Sequence, residues 1–358
     1  MELQIIHVIK YWMQGEFTNF IKVWLSVFAS LFYCYFVSKI VPKGVLRFFT
    51  ILPVLTLNLI LPLSLHTLHL GVSSAFFLCW LCNFKLIMLA FGKGPLSDPS
   101  LSLSRFLALS CLPIKFQEKD KETPNSKTSR KGLKSIWNYA FKGLLIALFL
   151  KVYDYSDYIH PKVIWVVYSF HIYFGLEIIL AVFGGSARAL IGIELEPQFD
   201  EPYLSTSLQE FWGRRWNIMV TRILRPTIYD PILNAMRQMI GRKWAPLPAI
   251  LGTFMISGIM HELIFFYMGR ERPDGGITWF FLLHGVSLMI EVAIKKAING
   301  KWCLPRIITG PLTIGFVLVT SFWLFFPEFL RYYPMERALD EYAAMGGFAK
   351  DVLQCLDR

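Results

Sequence analysis

Apolar runs of membrane-spanning length follow one another along most of the chain, separated by short polar connections. A helix needs about 20 consecutive apolar residues to cross a bilayer. The pattern predicts about eight transmembrane helices, at approximately 20–38, 48–63, 71–91, 136–152, 163–183, 247–268, 277–294 and 307–326. We therefore expect an all-α, polytopic membrane protein that forms a single membrane-embedded domain over residues 1–358.

Three stretches between these runs do not fit a membrane-crossing helix. Residues 101–114 are apolar but short, which favours a re-entrant or interfacial segment. Residues 115–135 carry seven basic residues against three acidic ones and predict a solvated loop. Residues 185–246 form the longest non-spanning region and predict interfacial helices with loops between them.

The charged residues concentrate in the connections. Only 17% of the residues are charged, against about 25% in globular proteins. Basic connections follow the first, third, fifth and seventh predicted spans, which is the positive-inside pattern. It assigns residues 115–135 and 185–246 to the cytosol and both chain ends to the lumen. The net charge of +11 therefore indicates membrane topology and no nucleic-acid partner.

Several ionisable residues nevertheless lie inside predicted spans, where they are costly and functional by default. Lys85 lies near a basic connection, and we expect its side chain to extend to the interface. His171 and Glu177 form one candidate polar cluster. His284 and Glu291 are seven residues apart, so they are expected to line one helix face without touching.

The strongest candidate for chemistry is His261, which lies beside Glu262 in the predicted span 247–268. Burial favours the neutral imidazole, the form that accepts a proton as a general base. The structural alternative is a hydrogen bond between two helices, worth about 0.6–2 kcal/mol. Ser257 lies one turn earlier on the same face and could orient the imidazole. Glu262 is rotated by about 100° and is expected to serve another contact.

Other chemistries lack their motifs. The residue four positions after His261 is Phe265, which excludes a local HExxH zinc motif, and the chain contains no G-x-S-x-G nucleophile elbow. Cys79 and Cys82 form C-x-x-C inside an apolar run with no second pair, which favours packing over metal or redox chemistry. We expect no metal and no cofactor.

A second candidate region is the stretch FWGRRWN at 211–217. Ser207 and Glu210 form a capping box that predicts a helix over 211–219. On such a helix Trp212, Trp216 and Met219 share one face, which would lie on the bilayer.

This stretch also has a functional interpretation. Arginines at this position would attract a phosphate-bearing substrate that arrives from the cytosol, while Asn217 would point its amide at the reacting atoms. The arginines concerned are Arg214, Arg215, Arg222 and Arg225. Pattern alone leaves the membrane anchor and the substrate site as equal alternatives.

The combination of motifs resembles a known family. FWGRRWN at 211–217, followed by His261-Glu262 in a predicted transmembrane helix, resembles the paired Asn and His motifs of the membrane-bound O-acyltransferase superfamily. The stretches PIKF at 113–116 and PQFDEPY at 197–203 resemble its plant wax synthase-like branch. The likeness runs from about residue 20 to residue 296.

The resemblance implies a multi-pass enzyme of the endoplasmic reticulum that moves an acyl group from acyl-CoA, its co-substrate, to a lipid hydroxyl. It assigns His261 as the catalytic base and Asn217 as its partner. A long-chain fatty alcohol is the first acceptor expected, with diacylglycerol, as the substrate of an acetyltransferase, and sterol as alternatives. Further substrate contacts are expected from Trp212, Arg214, Arg215, Trp216, Ser257, Glu262 and His284.

A rival hypothesis is a proton-coupled transporter. Its pathway would use the ionisable residues of the spans, namely His171, Glu177, His261, Glu262, His284 and Glu291. Repeated halves with matching Gly/Pro-interrupted helices, which are typical of transporters, are not visible in the sequence. The sequence does not predict an oligomeric state.

Overall fold

The computed structural model of the chain describes residues 15–112, 136–191, 198–298 and 304–356. The predicted loop 115–135, the PIKF stretch and most of the N-terminal segment lie outside the described residues. The helices are α1 (Glu16–Ile40), α2 (Val45–Ser64), α3 (Leu68–Ala90), α4 (Leu103–Cys111), α5 (Ile136–Tyr153), α6 (Pro161–Ile191), α7 (Leu208–Glu210, continued by the π turn Phe211–Arg215), α8 (Ile218–Leu224), α9 (Asp230–Trp244), α10 (Pro246–Gly269), α11 (Gly276–Ile298), α12 (Arg306–Leu330) and α13 (Pro334–Leu356).

The predicted all-α, polytopic membrane fold is confirmed. Within the described ranges, 7 helices are long and apolar enough to cross a membrane, namely α1, α2, α3, α6, α10, α11 and α12. The span predicted at 136–152 forms α5, which has 18 residues and is not among them. At about 1.5 Å per residue, a helix of that length is slightly shorter than the roughly 30 Å of a hydrocarbon core.

The chain folds into two compact units, each assembled from separate pieces of sequence. The first unit comprises Met1–Leu112, Met255–Phe281 and Pro327–Arg358. The second comprises Pro113–Phe254 and Leu282–Phe326. That the chain acts as a single domain stays a prediction.

Helix α3 is the central helix of the first unit. In its apolar 18-residue stretch, 72% of the residues are buried inside the protein, whereas the corresponding share in the other six candidate spans is 11–39%. Buried polar pairs fix its register against α2, because the amide of Asn58 donates to Asn83 Oδ1 at 2.9 Å and Asn83 donates to the Leu55 carbonyl at 3.1 Å. A helix that is apolar on all sides is expected in such a core position.

The expectation for Lys85 was wrong. Its side chain is only 4% exposed, and its ammonium donates to the backbone carbonyls of Leu109 and Leu112 at the end of α4. The last carbonyls of a helix lack intrahelical partners, and a cation at that end also interacts well with the helix dipole. Lys85 therefore joins α3 to α4 and does not extend to the interface.

In the first unit, two carboxylates hold the connection between α2 and α3. Glu16 accepts hydrogen bonds from the backbone N–H groups of His66 at 2.7 Å and Thr67 at 2.9 Å. Glu341 of α13 accepts from the N–H groups of Leu68 at 2.6 Å and His69 at 2.9 Å. Leu68 and His69 carry the first N–H donors of α3, which a carboxylate satisfies well.

Two arginines bind the carbonyl groups of the same connection. Arg337 of α13 donates to the carbonyls of His66 and Met268, both at 2.7 Å. Arg270, at the end of α10, donates to the carbonyls of Pro62 and Leu65. The connection 62–69 is thus the point at which three other segments of the first unit meet, namely the start of α1, the end of α10 and α13.

In the second unit, α5 and α6 pack side by side and carry paired polar groups. Lys142 and Glu177 form an ion pair at 2.7 Å with both side chains only 7% exposed. The Tyr153 hydroxyl lies 2.8 Å from His171 Nδ1. The candidate cluster of His171 and Glu177 is therefore two separate pairs, and the attraction between Lys142 and Glu177 offsets the desolvation cost of burying them.

Candidate active site

His261 lies on α10, and the backbone of its own helix fixes its tautomer. Its Nδ1 is 2.7 Å from the carbonyl oxygen of Ser257. A carbonyl oxygen can only accept, so Nδ1 carries the proton and donates it. In the neutral ring Nε2 then holds the lone pair. The contact that orients the imidazole comes from the Ser257 carbonyl, whereas the sequence had suggested this residue without naming the atom.

Two aromatic rings of the first unit fix the plane of this imidazole. The Trp80 ring lies 5.1 Å from the His261 ring, centroid to centroid, at an interplanar angle of 83°. The Phe281 ring lies 4.2 Å away at 33°. Among the described residues Nε2 has no hydrogen-bond partner. The ring is therefore oriented by its neighbours while its basic nitrogen stays available.

Gly258, beside Ser257, allows α11 to come close to this site. A Cβ at Gly258 would lie 3.0 Å from the Cα of Thr278 and 3.3 Å from the Cβ of Phe281. Contacts this short with backbone cannot relax cheaply, so a larger residue would displace α11 and with it Phe281.

Glu262 serves α11. Its Oε1 accepts a hydrogen bond from the backbone N–H of Thr278 at 3.0 Å, in the first turn of α11. The side chain thus satisfies one of the donors that every helix start leaves unpaired. This is the separate contact expected from its rotation relative to His261, and its predicted contact with substrate stays a prediction.

His284, in the second unit, has the opposite tautomer from His261. The indole Nε1 of Trp212 donates to its Nδ1 at 3.1 Å, and an indole nitrogen cannot accept. Nε2 therefore carries the proton and donates to the Thr320 hydroxyl at 2.9 Å, which in turn donates to the Phe316 carbonyl at 2.7 Å. His284 is fully buried, at 0% exposure. With both nitrogens used by this chain, it is not a candidate base.

The remaining ionisable groups of the proposed transport pathway also have partners. They are His171 with Tyr153 at 2.8 Å, Glu177 with Lys142 at 2.7 Å, Glu262 with the Thr278 N–H at 3.0 Å, and Glu291 with the Leu208 N–H at 2.8 Å and Lys295 at 2.6 Å. Each of these groups is engaged with a partner of its own and not with the next group of the pathway. This arrangement argues against a proton relay and hence against the transporter hypothesis.

The helix predicted over 211–219 is wrong as a single element. Ser207 is the N-cap, as expected, and accepts from the Glu210 N–H at 3.1 Å. The helix α7 ends at Arg215, Trp216 is extended, and α8 begins at Ile218. The proposed common face of Trp212, Trp216 and Met219 therefore does not exist.

Asn217 stands at the break between α7 and α8. Its backbone is left-handed, with φ 43° and ψ 63°, a conformation that Asn tolerates better than most residues. Its side-chain oxygen accepts from the Val220 N–H at 3.4 Å and caps α8. The amide nitrogen has no partner among the described residues and remains the group available to a substrate.

The PQFDEPY stretch holds this break in place. Gln198 accepts from the Ile218 N–H with its carbonyl at 2.9 Å and from the Met219 N–H with its side chain at 3.1 Å. The Asp200 N–H donates to the Arg215 carbonyl at 2.9 Å. Two motifs that are separate in sequence thus form one structural element in the second unit.

Trp216 is partly buried and packs against a hydrophobic cluster of this unit. Its ring stacks on Phe211 at 5.5 Å and 11° and meets Phe199 edge to face at 5.1 Å and 67°. Tyr173 of α6 completes the cluster at 6.3 Å. Its predicted substrate contact stays a prediction, but the geometry shows a packing role.

The two arginines of the motif differ. Arg215 pairs with Glu210 at 2.8 Å and donates to the Asp200 carbonyl at 2.9 Å, so its guanidinium is used internally. Burial opposes ionisation of Glu210, but hydrogen bonds from Thr206 and Arg215 outweigh it and lower its pKa to about 2. Arg214 is exposed and is the better candidate for an anionic substrate.

The structure therefore brings together some of the predicted residues. Ser257, Glu262 and His261 lie in the first unit. Trp212 and His284 lie in the second, where a hydrogen bond joins their side chains. Trp80 was missed, because a Trp in an apolar run carries no sequence signal of its neighbours. The pairing of Asn217 with His261 stays a prediction.

Comparison with known proteins gives a consistent result. The sequence profile of the Membrane bound O-acyl transferase family matches residues 195–283, which include FWGRRWN and His261. Acyl-CoA--sterol O-acyltransferase 1 of Arabidopsis thaliana is 50% identical over 93% of this chain and 97% of its own. The long-chain-alcohol O-fatty-acyltransferase of Simmondsia chinensis is 43% identical over 96% and 98%. A probable long-chain-alcohol O-fatty-acyltransferase 3 of Arabidopsis thaliana is 41% identical over 96% of each. The chain is a multi-pass acyltransferase that belongs to the wax synthase-like branch of the membrane-bound O-acyltransferase family.

Proposed function

We propose that this enzyme transfers an acyl group from acyl-CoA to the hydroxyl group of a large apolar alcohol, with His261 as general base. The observation that carries the proposal is the tautomer of His261, whose Nδ1 is committed to the Ser257 carbonyl while Nε2 is left to accept a proton. A positioned base of this kind contributes about 10²–10⁴-fold to the rate.

The reaction needs no acyl-enzyme, because the thioester is already activated. Nε2 of His261 takes the proton from the alcohol as its oxygen attacks the carbonyl carbon, and the carbonyl electron pair moves to the oxygen. The tetrahedral intermediate collapses, the C–S bond breaks, and the CoA sulfur takes the proton from the imidazolium. Asn217 would donate from its amide nitrogen to the oxyanion, which is consistent with its oxygen being used to cap α8.

The proposed acceptor is a long-chain alcohol, with a sterol as second candidate. Relatives at 43% and 41% identity bear the name of the first acceptor, and the relative at 50% bears the name of the second. Both present one hydroxyl group on a large apolar body, so one base serves either. Diacylglycerol stays an untested alternative. We further propose residence in the endoplasmic reticulum membrane and activity without a metal or cofactor, so that a chelator leaves turnover unchanged.

The test is ester formation by purified protein in detergent, with labelled acyl-CoA and equal amounts of fatty alcohol and sterol. We expect His261→Ala to lose about 10²–10⁴-fold in turnover because the base is absent. His171→Phe, which removes another intramembrane imidazole, is the matched control and should retain turnover. Ester formation requires no compartments, so it also distinguishes an enzyme from a transporter.

Wild-type turnover in a correctly folded His261→Ala protein would contradict the assignment of the base. Equal loss in His171→Phe would indicate general damage to the membrane helices. The ratio of the two ester products in the wild-type protein decides between the alcohol and the sterol.

A further inference from the structure

The indole of Trp80 carries a buried hydrogen-bond donor without an acceptor. The side chain is 1% exposed, and within the described parts of the chain its Nε1 has no partner. Other tryptophans of this protein satisfy the same atom, since Trp24 donates to the Ser74 hydroxyl at 3.1 Å and Trp212 donates to His284 at 3.1 Å. An indole nitrogen can only donate, and buried donors in native proteins are nearly always paired.

The indole ring that carries this donor lies beside the proposed base. The Trp80 and His261 rings are 5.1 Å apart and nearly perpendicular, at 83°. The Phe76 ring, from the same helix, also packs against the indole, at 5.6 Å between ring centroids. Because α3 is the most buried of the candidate spans, the indole is held in position by the core of the first unit.

A reacting acyl group would bring an oxygen into this neighbourhood. The attacking hydroxyl must come within hydrogen-bond distance of Nε2 of His261, and the carbonyl carbon must lie about 3–3.5 Å from that hydroxyl. The carbonyl oxygen is one bond further. It therefore falls in the region around the imidazole that Trp80 borders.

We propose that the indole N–H of Trp80 donates a hydrogen bond to the thioester carbonyl oxygen of acyl-CoA as this oxygen becomes the oxyanion of the tetrahedral intermediate. The inference rests on the proposed function of His261. The bond is strongest when the oxygen carries the charge, at the moment when the hydroxyl proton has moved to Nε2 and the C–S bond is still intact. A donor whose hydrogen bond strengthens as charge develops on the oxygen acts mainly in the transition state, which raises kcat more than it lowers KM.

The experiment compares Trp80→Phe with Trp24→Phe in purified protein, with kcat and KM measured for acyl-CoA. Loss of one oxyanion donor costs about 10²–10³-fold in kcat, and we expect Trp80→Phe to lose about 10²-fold or more, with KM for acyl-CoA nearly unchanged. Trp24→Phe removes an indole N–H that the protein itself satisfies, so its kcat should be that of the wild-type protein.

The thermal unfolding midpoint separates a catalytic from a structural role. Trp80→Phe removes no hydrogen bond from the folded protein but leaves a cavity at a buried position, so its midpoint falls by the packing loss alone, and kcat is compared on protein that is folded at the assay temperature. Should Trp80→Phe fail to fold, benzothienylalanine at position 80 keeps the shape of the indole while a sulfur atom replaces the N–H. The same loss of kcat is expected from this analogue.

Unchanged kcat in Trp80→Phe or in the benzothienylalanine analogue, or a loss that appears only in KM, overturns the inference. An inactive His261→Ala together with an active Trp80→Phe overturns the role of Trp80 alone. A wild-type protein that forms no ester from acyl-CoA overturns the proposed function, and the role of Trp80 with it.

Discussion

His261 and His284 differ in the atom that carries the proton, because their neighbours differ. A carbonyl oxygen faces Nδ1 of His261, whereas an indole N–H faces Nδ1 of His284. The first arrangement leaves a basic nitrogen available, and the second uses both nitrogens in a chain that ends at a backbone carbonyl. The chemistry of each imidazole is thus decided by one neighbouring atom.

This chain of hydrogen bonds gives a prediction for Thr320→Val. Valine keeps the shape of threonine but removes the hydroxyl that accepts from Nε2 of His284. A buried donor that loses its acceptor costs about 1–3 kcal/mol, so we expect the free energy of unfolding to fall by that amount. Thermal unfolding in detergent measures it.

Thr313→Val is the matched control on the same helix. Its hydroxyl donates only to the Thr309 carbonyl of its own helix, at 2.7 Å, and it is similarly buried. Thr320→Ser should retain the stability of the wild-type protein. If Thr320→Val and Thr313→Val lose equal stability, the bond to His284 contributes nothing.

At this scale the sequence could predict which residues are unusual but not what they touch. His261 was identifiable because an ionisable group in a membrane span is rare. Its tautomer was not, since that depends on a backbone carbonyl and a helix geometry. Trp80 was not identifiable at all, because its unpaired N–H exists only relative to the folded surroundings.

Among the elements, the FWGRRWN stretch shows where local rules succeed and fail. The N-cap at Ser207 could be predicted, since its partner is three residues away. The break at Trp216 and Asn217 could not, because no Gly or Pro marks it and its supports come from Gln198 and Phe199. The spacing of Trp212, Trp216 and Met219 is typical of one helix face, but these residues do not lie on a common helix.

The left-handed backbone of Asn217 predicts unequal effects for two substitutions. Asn217→Ala should lose about 1–2 kcal/mol of stability, since Ala has a Cβ but no side-chain oxygen to cap α8 and favour the left-handed backbone, whereas Asn217→Gly should stay near the wild-type value. Both remove the amide. If the amide nitrogen contacts the oxyanion, Asn217→Gly should fold normally and still lose most of its turnover.

The measurements are thermal unfolding and ester formation on the same preparations. Asn217→Asp is the control for folding, because it keeps an oxygen that caps α8; it replaces the amide N–H groups with a charged carboxylate, so it should fold normally and lose turnover. Full turnover in Asn217→Gly would show that the residue at position 217 is needed only for the left-handed backbone conformation and not for the reaction.

For the whole molecule, hydropathy predicted the membrane spans well, because each run is apolar enough to identify without partners. It did not predict that α3 is central, since every span looks apolar whether it faces lipid or protein. The wrong expectation for Lys85 has the same cause. Its acceptors, Leu109 and Leu112, lie on another helix.

The closure of the first unit by α13 predicts that Glu341→Ala lowers stability. Burial opposes ionisation of Glu341, but hydrogen bonds from His69 and Leu68 outweigh it and lower its pKa. The carboxylate therefore stabilises the fold at neutral pH, and its contribution shrinks as the pH falls through its lowered pKa. Removing the carboxylate leaves the N–H groups of Leu68 and His69 without an acceptor, so we expect the free energy of unfolding to fall by about 1–3 kcal/mol.

Thermal unfolding at neutral pH measures this loss, with Glu336→Ala as the control on the same helix. Glu336 is exposed and should be replaceable without effect. A Glu341→Ala protein as stable as Glu336→Ala would show that the Glu341 carboxylate does not stabilise the connection 62–69.

The bond between Glu341 and the Leu68 N–H joins residues 273 positions apart. A ribosome therefore has to synthesise α13 before the first unit can close, and until then the start of α3 remains in the membrane without that carboxylate. A premature stop codon anywhere before α13 would leave this unit permanently open, a defect that cellular quality control can recognise.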